Sequence, residues 1–130
     1  MRIEVLNTED RRVRRDLAAL ARALGRDRGL PDTTVNVVLV SDARMRELNR
    51  EWRGRDRATD VLSFELDARE PGAKTRLLGE VYVARGRARE QGREAGHGFQ
   101  AEVKRLALHG ILHLLGLNHE EMETEYDRYL

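Results

Sequence analysis

The sequence contains no cysteine in its 130 residues, and this absence excludes two kinds of chemistry. Disulfides cannot brace the fold, and thiolates cannot hold a metal ion. Any metal ion must therefore be held by imidazole nitrogen and by oxygen. A chain of this length can bury its own apolar core, since domains commonly have about 100–150 residues. We therefore expect a single domain over residues 1–130.

Long apolar segments are missing as well. The chain has no run of about 18 apolar residues, and it does not open with a basic segment followed by a short apolar one. These absences predict neither a membrane span nor a secretory leader. We therefore expect a cytoplasmic protein that has no membrane partner.

A net excess of one charge sign is also absent, since 24 basic side chains face 23 acidic ones. The charge is unevenly distributed, however. Residues 44–57 and 85–93 each carry three more positive than negative side chains, and the chain after residue 119 is acidic. Nearly all of the basic residues are arginine, which suits bidentate contacts with phosphate. Each basic segment is interpreted either as a polyanion-binding surface or as ordinary solvated surface.

The spacing of apolar residues predicts the secondary structure. Alternation and β-branched runs predict strands at 1–6, 35–40, 61–64 and 77–84. Spacings of three and four predict helices from Thr8 to Gly25, from Ser41 to Gly54, over 86–95 and from Phe99 to Leu115. Pro71 and Gly72 predict an exposed turn over residues 67–76. This order predicts an α+β fold, a small mixed sheet of about four strands covered on one face by helices.

Three of the four histidines lie in one short segment near the C-terminus, HGILHLLGLNH over residues 109–119. His109 and His113 are four residues apart on a predicted helix, so their side chains share one face. Gly116 lets the helix end in a left-handed conformation, and the chain then returns His119 to the same point. The sequence therefore predicts one divalent metal ion, foremost Zn²⁺, held by these three side chains.

Three neutral imidazoles leave the fourth tetrahedral position free for water, as in catalytic zinc sites. Water bound there ionises near pH 7, so the motif predicts hydrolytic chemistry. A protein ligand such as Glu120 in the fourth position would instead make the metal structural. The remaining histidine, His97, lies between two glycines and is predicted to be a cap or a surface residue.

The histidine spacing also invites comparison with the zinc peptidase motif His-Glu-x-x-His. In those enzymes the glutamate is the general base, and here Gly110 occupies its position. Its absence argues against peptide hydrolysis by that route, unless Glu80 or Glu120 folds into reach.

Three motifs in the same order resemble the YbeY family of bacterial endoribonucleases. HGILHLLGLNH resembles the signature His-Gly-x-Leu-His-Leu-x-Gly-x-x-His of that family. LNREWRGRDRATDVLSF, over residues 48–64, resembles its Leu-Asn-x-x-aromatic-Arg stretch, which ends in Thr-Asp-Val-Leu-Ser-Phe. Leu78-Gly79-Glu80 resembles its Leu-Gly-Asp. The chain departs from these patterns at Ala58, where proline is usual, at Glu80, and at Leu117-Asn118, where an aromatic residue and aspartate usually stand.

The resemblance implies a function. It implies a metal-dependent, single-strand endoribonuclease that uses metal-activated water in ribosomal RNA maturation and ribosome quality control. Ribosomal RNA and the small ribosomal subunit are then the expected partners. A zinc peptidase-like hydrolase, and a non-catalytic ribosome-assembly factor with a structural metal, are the alternatives.

The resemblance also implies that Arg53 is the functionally important arginine of the family. Its guanidinium can bind two non-bridging phosphate oxygens at once. Asp60 and Ser63 are candidates for shaping the substrate cleft, and Arg85 and Arg89 represent the second basic segment as candidate RNA contacts. An aromatic residue beside an arginine can stack on a base, but the helical position of Trp52 favours packing in the core.

Overall fold

A computed structural model describes residues 1–69 and 71–130. Within this part of the chain the strands are β1 (Arg2–Leu6), β2 (Thr33–Val40), β3 (Val61–Ala68) and β4 (Arg76–Ala84). The helices are α1 (Arg11–Arg28), α2 (Asp42–Arg53), α3 (Arg85–Ala95), α4 (Gly98–Leu114) and α5 (His119–Tyr129). No helix in the described ranges is long and apolar enough to cross a membrane.

The four strands form one mixed sheet in the order β1-β2-β4-β3. Strand β2 pairs in parallel with β1 and with β4, whereas β3 pairs with β4 antiparallel. Strands β1 and β3 are therefore the two edges. The predicted α+β class with a mixed sheet and a histidine-bearing helix near the C-terminus is confirmed.

Helices cover both faces of the sheet. In β2, Val35, Val37 and Leu39 face the larger core, which contains buried side chains of α1, α4 and α5. Their neighbours Val38 and Val40 face the other way and pack with Met45 and Leu48 of α2. The prediction that helices cover only one face is therefore wrong. The uninterrupted apolar run at the end of β2 is typical of a strand that is buried on both faces.

Helix α1 begins and ends at residues that differ from the predicted ones. Helix α1 starts after Asp10, whose carboxylate accepts hydrogen bonds from two backbone N–H groups, rather than after Thr8. It passes through Gly25 and ends at Gly29, which has a left-handed φ of 59°. Gly25 lies against Met1 instead, where an added Cβ would be 2.7 Å from the Met1 backbone nitrogen.

The predicted turn over residues 67–76 is shorter than expected. Strand β3 continues to Ala68 and β4 begins at Arg76. The prediction also covers residue 70, which lies outside the described residues.

Helix α5 is an element that the apolar periodicity does not indicate. Only Met122 and Tyr129 of this helix are buried, so its apolar pattern is too sparse to recognise. Its start carries a capping box, in which the Asn118 side chain accepts from the Glu121 backbone N–H and the Glu121 carboxylate accepts from the Asn118 backbone N–H. The Tyr129 hydroxyl donates to Asp27 over 3.0 Å, which holds α5 against the end of α1.

Candidate metal centre and nucleic-acid cleft

Helix α4 approaches the sheet closely at Gly110. A Cβ atom at this position would lie 2.5 Å from Cγ1 of Val81 and 3.0 Å from Oγ of Ser63. The Ser63 hydroxyl donates to the Gly110 carbonyl oxygen over 3.2 Å, which links α4 to the edge strand β3. Gly110 is therefore a packing residue that sets the height of α4 above the sheet, and a glutamate side chain has no room there.

The close approach of α4 presents His109 and His113 beside strand β3. Their ring centroids lie 5.9 Å apart, so the two imidazoles face one region. Burial, followed by the charge of His113, lowers the pKa of His109 below its usual value. The neutral ring that this favours is the form that binds metal ions.

Tyr126 of α5 lies against the other side of the His109 ring. Its hydroxyl oxygen is 2.5 Å from His109 Nδ1. When Nδ1 donates this hydrogen bond, Nε2 keeps a free lone pair. Metal-binding histidines are usually oriented by a partner of this kind on the second nitrogen.

His119 is the first residue of α5, and its side chain is exposed. Its charge also acts to lower the pKa of His109. Across residues 1–69 and 71–130, no three His, Asp or Glu side chains are already arranged to hold an ion. The structure thus brings two of the three predicted ligands together, and the third stands at the start of the next helix.

The fourth histidine serves a buried carboxylate. His97 Nε2 lies 2.7 Å from Oε1 of Glu102, whose side chain is only 1% exposed. Arg105 donates to both oxygens of the same carboxylate. Burial on its own would raise the pKa of Glu102, but the hydrogen bonds from Arg105 and His97, with their charges, lower it. The sequence pattern did not indicate this cluster. His97 precedes α4 and Glu102 lies within it, so helical spacing does not relate the two side chains.

Arg53 lies at the end of α2, where Gly54 ends the helix with a left-handed φ of 69°. Its Nη2 donates to the Ser63 carbonyl oxygen over 2.7 Å, and its Cζ atom lies 5.1 Å from the centre of the Phe64 ring. It lines a cleft of about 220 Å³ together with Ser63, His109 and His113. Four residues that are distant in sequence therefore line one cleft.

A larger pocket of about 540 Å³ adjoins this cleft and shares Arg53 with it. Arg55, Arg57 and Arg87 line this pocket, which we call the arginine pocket. Among the described residues, no guanidinium nitrogen of these four arginines has a carboxylate oxygen within 4.0 Å. The arrangement suits a phosphate-rich ligand.

Arg87 is a pocket residue that sequence reasoning missed. The Asp42 carboxylate of α2 accepts hydrogen bonds from the backbone N–H groups of Gly86 and Arg87, which fixes the start of α3 beside α2. On a helix, residues two positions apart face different sides. The Arg87 side chain therefore enters the arginine pocket while Arg85 and Arg89 point elsewhere.

The other predicted substrate contacts occupy different surroundings. Arg85 donates to the Asn7 carbonyl oxygen over 2.5 Å, and the Arg89 Cζ atom lies 5.0 Å from the centre of the Phe99 ring. The Asp60 carboxylate accepts long hydrogen bonds from Thr59 and from Gln91, each 3.4 Å. Its charge acts to raise the pKa of His109.

Trp52 does not pack in the core, so that prediction is wrong. Its side chain is 65% exposed, because Met45 and Leu48 occupy the inner face of α2 and Trp52 lies at the end of the helix. Asn49, by contrast, is buried and donates to the Arg57 carbonyl oxygen over 2.8 Å, which holds the loop after α2.

The fold and the cleft define a class of protein: an α+β domain whose helix of paired histidines faces an arginine-lined cleft. The chain matches the family model described as Endoribonuclease YbeY over residues 3–128, and it belongs to the YbeY family. The resemblance deduced from its motifs is confirmed.

Individual relatives agree with the family match. A protein named Endoribonuclease YbeY from Persephonella marina is 42% identical over 96 residues, which are 74% of this chain and 63% of that protein. One of the same name from an Anaeromyxobacter species is 46% identical over 110 residues, 85% of this chain and 54% of that protein. The solution structure of TM1509 from Thermotoga maritima matches with a TM-score of 0.65 and 33% identity, covering 98% of this chain and 85% of that one. The chain thus spans less than two thirds of the length of these two curated relatives.

Proposed function

We propose that the chain is a metal-dependent endoribonuclease that acts on single-stranded RNA in the cytoplasm, with ribosomal RNA of the small subunit as its substrate. One observation carries this proposal: Arg53 faces His109 and His113 across a cleft that opens into the arginine pocket. The relatives at 42% and 46% identity that bear the name endoribonuclease support the same activity.

The donor set fits a zinc ion, because imidazole nitrogen is a preferred zinc ligand and the chain has no competing thiolate. His109, His113 and His119 would hold the ion, with His119 rotating inward from the start of α5. A divalent ion held there supplies a Lewis acid that activates water near neutral pH.

The protein side chains supply binding and orientation. The Arg53 bond to Ser63 uses Nη2, so the other N–H groups of the guanidinium are free to bind the non-bridging oxygens of the scissile phosphate. Arg55, Arg57 and Arg87 then bind the phosphates of neighbouring nucleotides along one path, as proteins that bind single strands do.

Peptide hydrolysis is a weaker alternative on this structure. Gly110 has no space for the glutamate that zinc peptidases use. Glu80 lies next to Val81 on β4, and the alternation of the strand turns it to the face of the sheet opposite α4. It accepts hydrogen bonds there from Asn36 and Tyr82. It is therefore not positioned to act as a base beside the histidines.

A cleavage assay tests the proposed activity. The chain is stripped of metal, reloaded with defined divalent ions, and incubated with structured and with unstructured RNA. We expect cleavage of the unstructured RNA only after reloading. Intact RNA in the presence of stoichiometrically loaded protein would contradict the proposal and favour an assembly factor with a structural metal.

The ligand assignment leads to a prediction about metal content. His109→Ala, His113→Ala and His119→Ala are each expected to lose bound metal, because each removes one of three donors. His97→Ala is the matched control, since the His97 ring contacts Glu102 instead. Elemental analysis of the four purified variants measures their metal content. If His97→Ala lost its metal while His119→Ala kept it, the third ligand would be His97 and not His119.

The arginine pocket leads to a prediction about salt. Each phosphate contact contributes roughly 0.7 to the slope of log affinity against log salt for a single strand. Arg87→Ala is therefore expected to reduce this slope by about that amount. Arg46→Ala is the matched control, since Arg46 is exposed and already bound to Asp56 at 2.8 Å.

The same titrations test the two arginines assigned from sequence. Arg85→Ala and Arg89→Ala are measured beside Arg87→Ala over one range of salt. An unchanged slope in Arg87→Ala, with reduced slopes in those two variants, would move the RNA path to the other side of α3.

A further inference from the structure

An exposed aromatic groove lies on the face of the sheet opposite α4, at the edge strand β3. Trp52, Phe64, Leu66 and Tyr82 line it, and its volume is about 300 Å³. The rings of Trp52 and Phe64 meet edge to face with centroids 6.0 Å apart, and those of Phe64 and Tyr82 with centroids 5.6 Å apart. Phe64 is thus held from two sides, which fixes the floor of the groove beneath the exposed indole.

The aromatic groove is continuous with the histidine cleft around the edge of the sheet. Glu65 lines both the groove and a pocket that contains Arg53, Ser63 and His113. Arg53 itself lies over the Phe64 ring and also lines the histidine cleft. Because β3 is an edge strand, no further strand separates the two surfaces within residues 1–69 and 71–130.

We propose that the aromatic groove is a nucleobase subsite, in which a base next to the scissile phosphate stacks on Trp52. This proposal rests on the proposed endoribonuclease activity. The sugar-phosphate chain passes over the β3 edge beside Arg53, so the phosphate lies in the histidine cleft and the base lies on the far side of the edge.

The surroundings favour RNA over a protein segment as the occupant. Arg53, whose Cζ atom lies over the Phe64 ring, connects the groove to the arginine pocket. Among the described residues, the side chains of the four arginines there have no carboxylate oxygen within 4.0 Å, and their charge complements a polyanion. Proteins that bind single strands combine such a cationic path with exposed aromatic rings on which bases stack. Glu65 also gives the groove rim an exposed acceptor, which can receive the exocyclic amino group of a base.

The chain contains a single tryptophan, so its fluorescence reports on this groove alone. The full chain is titrated with a short oligoribonucleotide in EDTA, which prevents turnover, while the anisotropy of a dye on the RNA measures binding. We expect saturable quenching of Trp52. The titration is repeated with a series of oligonucleotides, each lacking the base at one position. We expect normal binding from all of them except the one that lacks the base stacked on Trp52, and with that one the quenching disappears.

Substitutions supply the second arm of the test. Stacking of one base typically contributes about 5- to 150-fold in affinity, so Trp52→Leu is expected to weaken binding by at least about fivefold. Trp52→Phe keeps an aromatic face and is expected to retain most of the affinity. Leu6→Ala is the control for loss of an exposed apolar side chain elsewhere, since Leu6 is 42% exposed.

The outcomes separate this inference from the activity on which it rests. RNA that binds with full affinity to Trp52→Leu, and leaves the fluorescence of the unaltered chain unchanged, would overturn the subsite and leave the groove to a protein partner. Quenching without cleavage by the metal-loaded protein would support the subsite and contradict the activity. Cleavage without quenching would support the activity and contradict the subsite. An absence of RNA binding would overturn both the subsite and the activity.

Discussion

Arg53→Ala is expected to cleave RNA about a hundred- to a thousandfold more slowly than the unaltered chain, the usual effect of removing one group that stabilises transition-state charge. Its metal content is expected to stay the same, because a guanidinium has no lone pair available to a metal ion. RNA affinity is expected to fall much less than the rate, since an interaction made chiefly in the transition state is expressed in turnover. Single-turnover cleavage, an RNA titration and elemental analysis on one preparation measure the three quantities.

Two further variants sharpen this test. Arg53→Lys is expected to recover only part of the rate, because lysine is a point charge without the two-pronged geometry of arginine. Arg50→Ala is the matched control, since Arg50 lies one turn earlier on α2 and its nearest carboxylate is Asp56 at 3.9 Å. Unchanged cleavage by Arg53→Ala with metal bound would leave Arg53 with only its bond to Ser63 and its contact with Phe64.

Gly110→Glu is expected to unfold the protein or to lower its free energy of unfolding by more than about 3 kcal/mol, through overpacking and burial of a carboxylate. The substitution recreates the zinc peptidase motif, but its Cβ would already lie 2.5 Å from Val81 Cγ1. We therefore expect no gain of peptidase activity. Denaturant unfolding monitored by circular dichroism measures the loss.

Gly110→Ala separates the steric effect from the charge. Alanine favours the helix by up to about 1 kcal/mol over glycine, whereas overpacking a core typically costs about 1–3 kcal/mol. We expect a net loss of stability that is smaller than that of Gly110→Glu. A stabilised Gly110→Ala variant would show that α4 can move away from Val81 without cost, and that Gly110 is not required for packing.

Local sequence was sufficient where an element is defined by its own ends. Ser41 caps α2, its side chain accepting a hydrogen bond from the Arg44 backbone N–H, and Gly54 ends the helix in a left-handed conformation, both as predicted. Local sequence was not sufficient for α1, because either of two glycines could end this helix. Gly29 ends it, whereas Gly25 lies inside the helix against Met1, and only this tertiary contact distinguishes the two glycines.

The candidate site shows a similar division. The four-residue spacing of His109 and His113 predicts a shared face, because the rise and turn of a helix are local properties. The pairing of Arg53 with that face was available only from the family likeness. The apolar periodicity also wrongly predicted that Trp52 packs in the core. Periodicity does not show that Met45 and Leu48 already occupy the inner face of α2 before the helix reaches Trp52.

The sequence by itself determined the family, because the order of its motifs identifies YbeY, and its lack of cysteine excluded thiolate ligands. The histidine spacing predicts imidazole ligands, and the motif likeness predicts a phosphate-binding arginine. These depend on residue identity and on spacings within one turn of helix. Only the tertiary structure decided that Arg87 faces the arginine pocket while Arg85 and Arg89 lie elsewhere, that α2 covers the second face of the sheet, and that Trp52 is exposed. Such features depend on contacts between elements distant in sequence, which the pattern of a single segment does not encode.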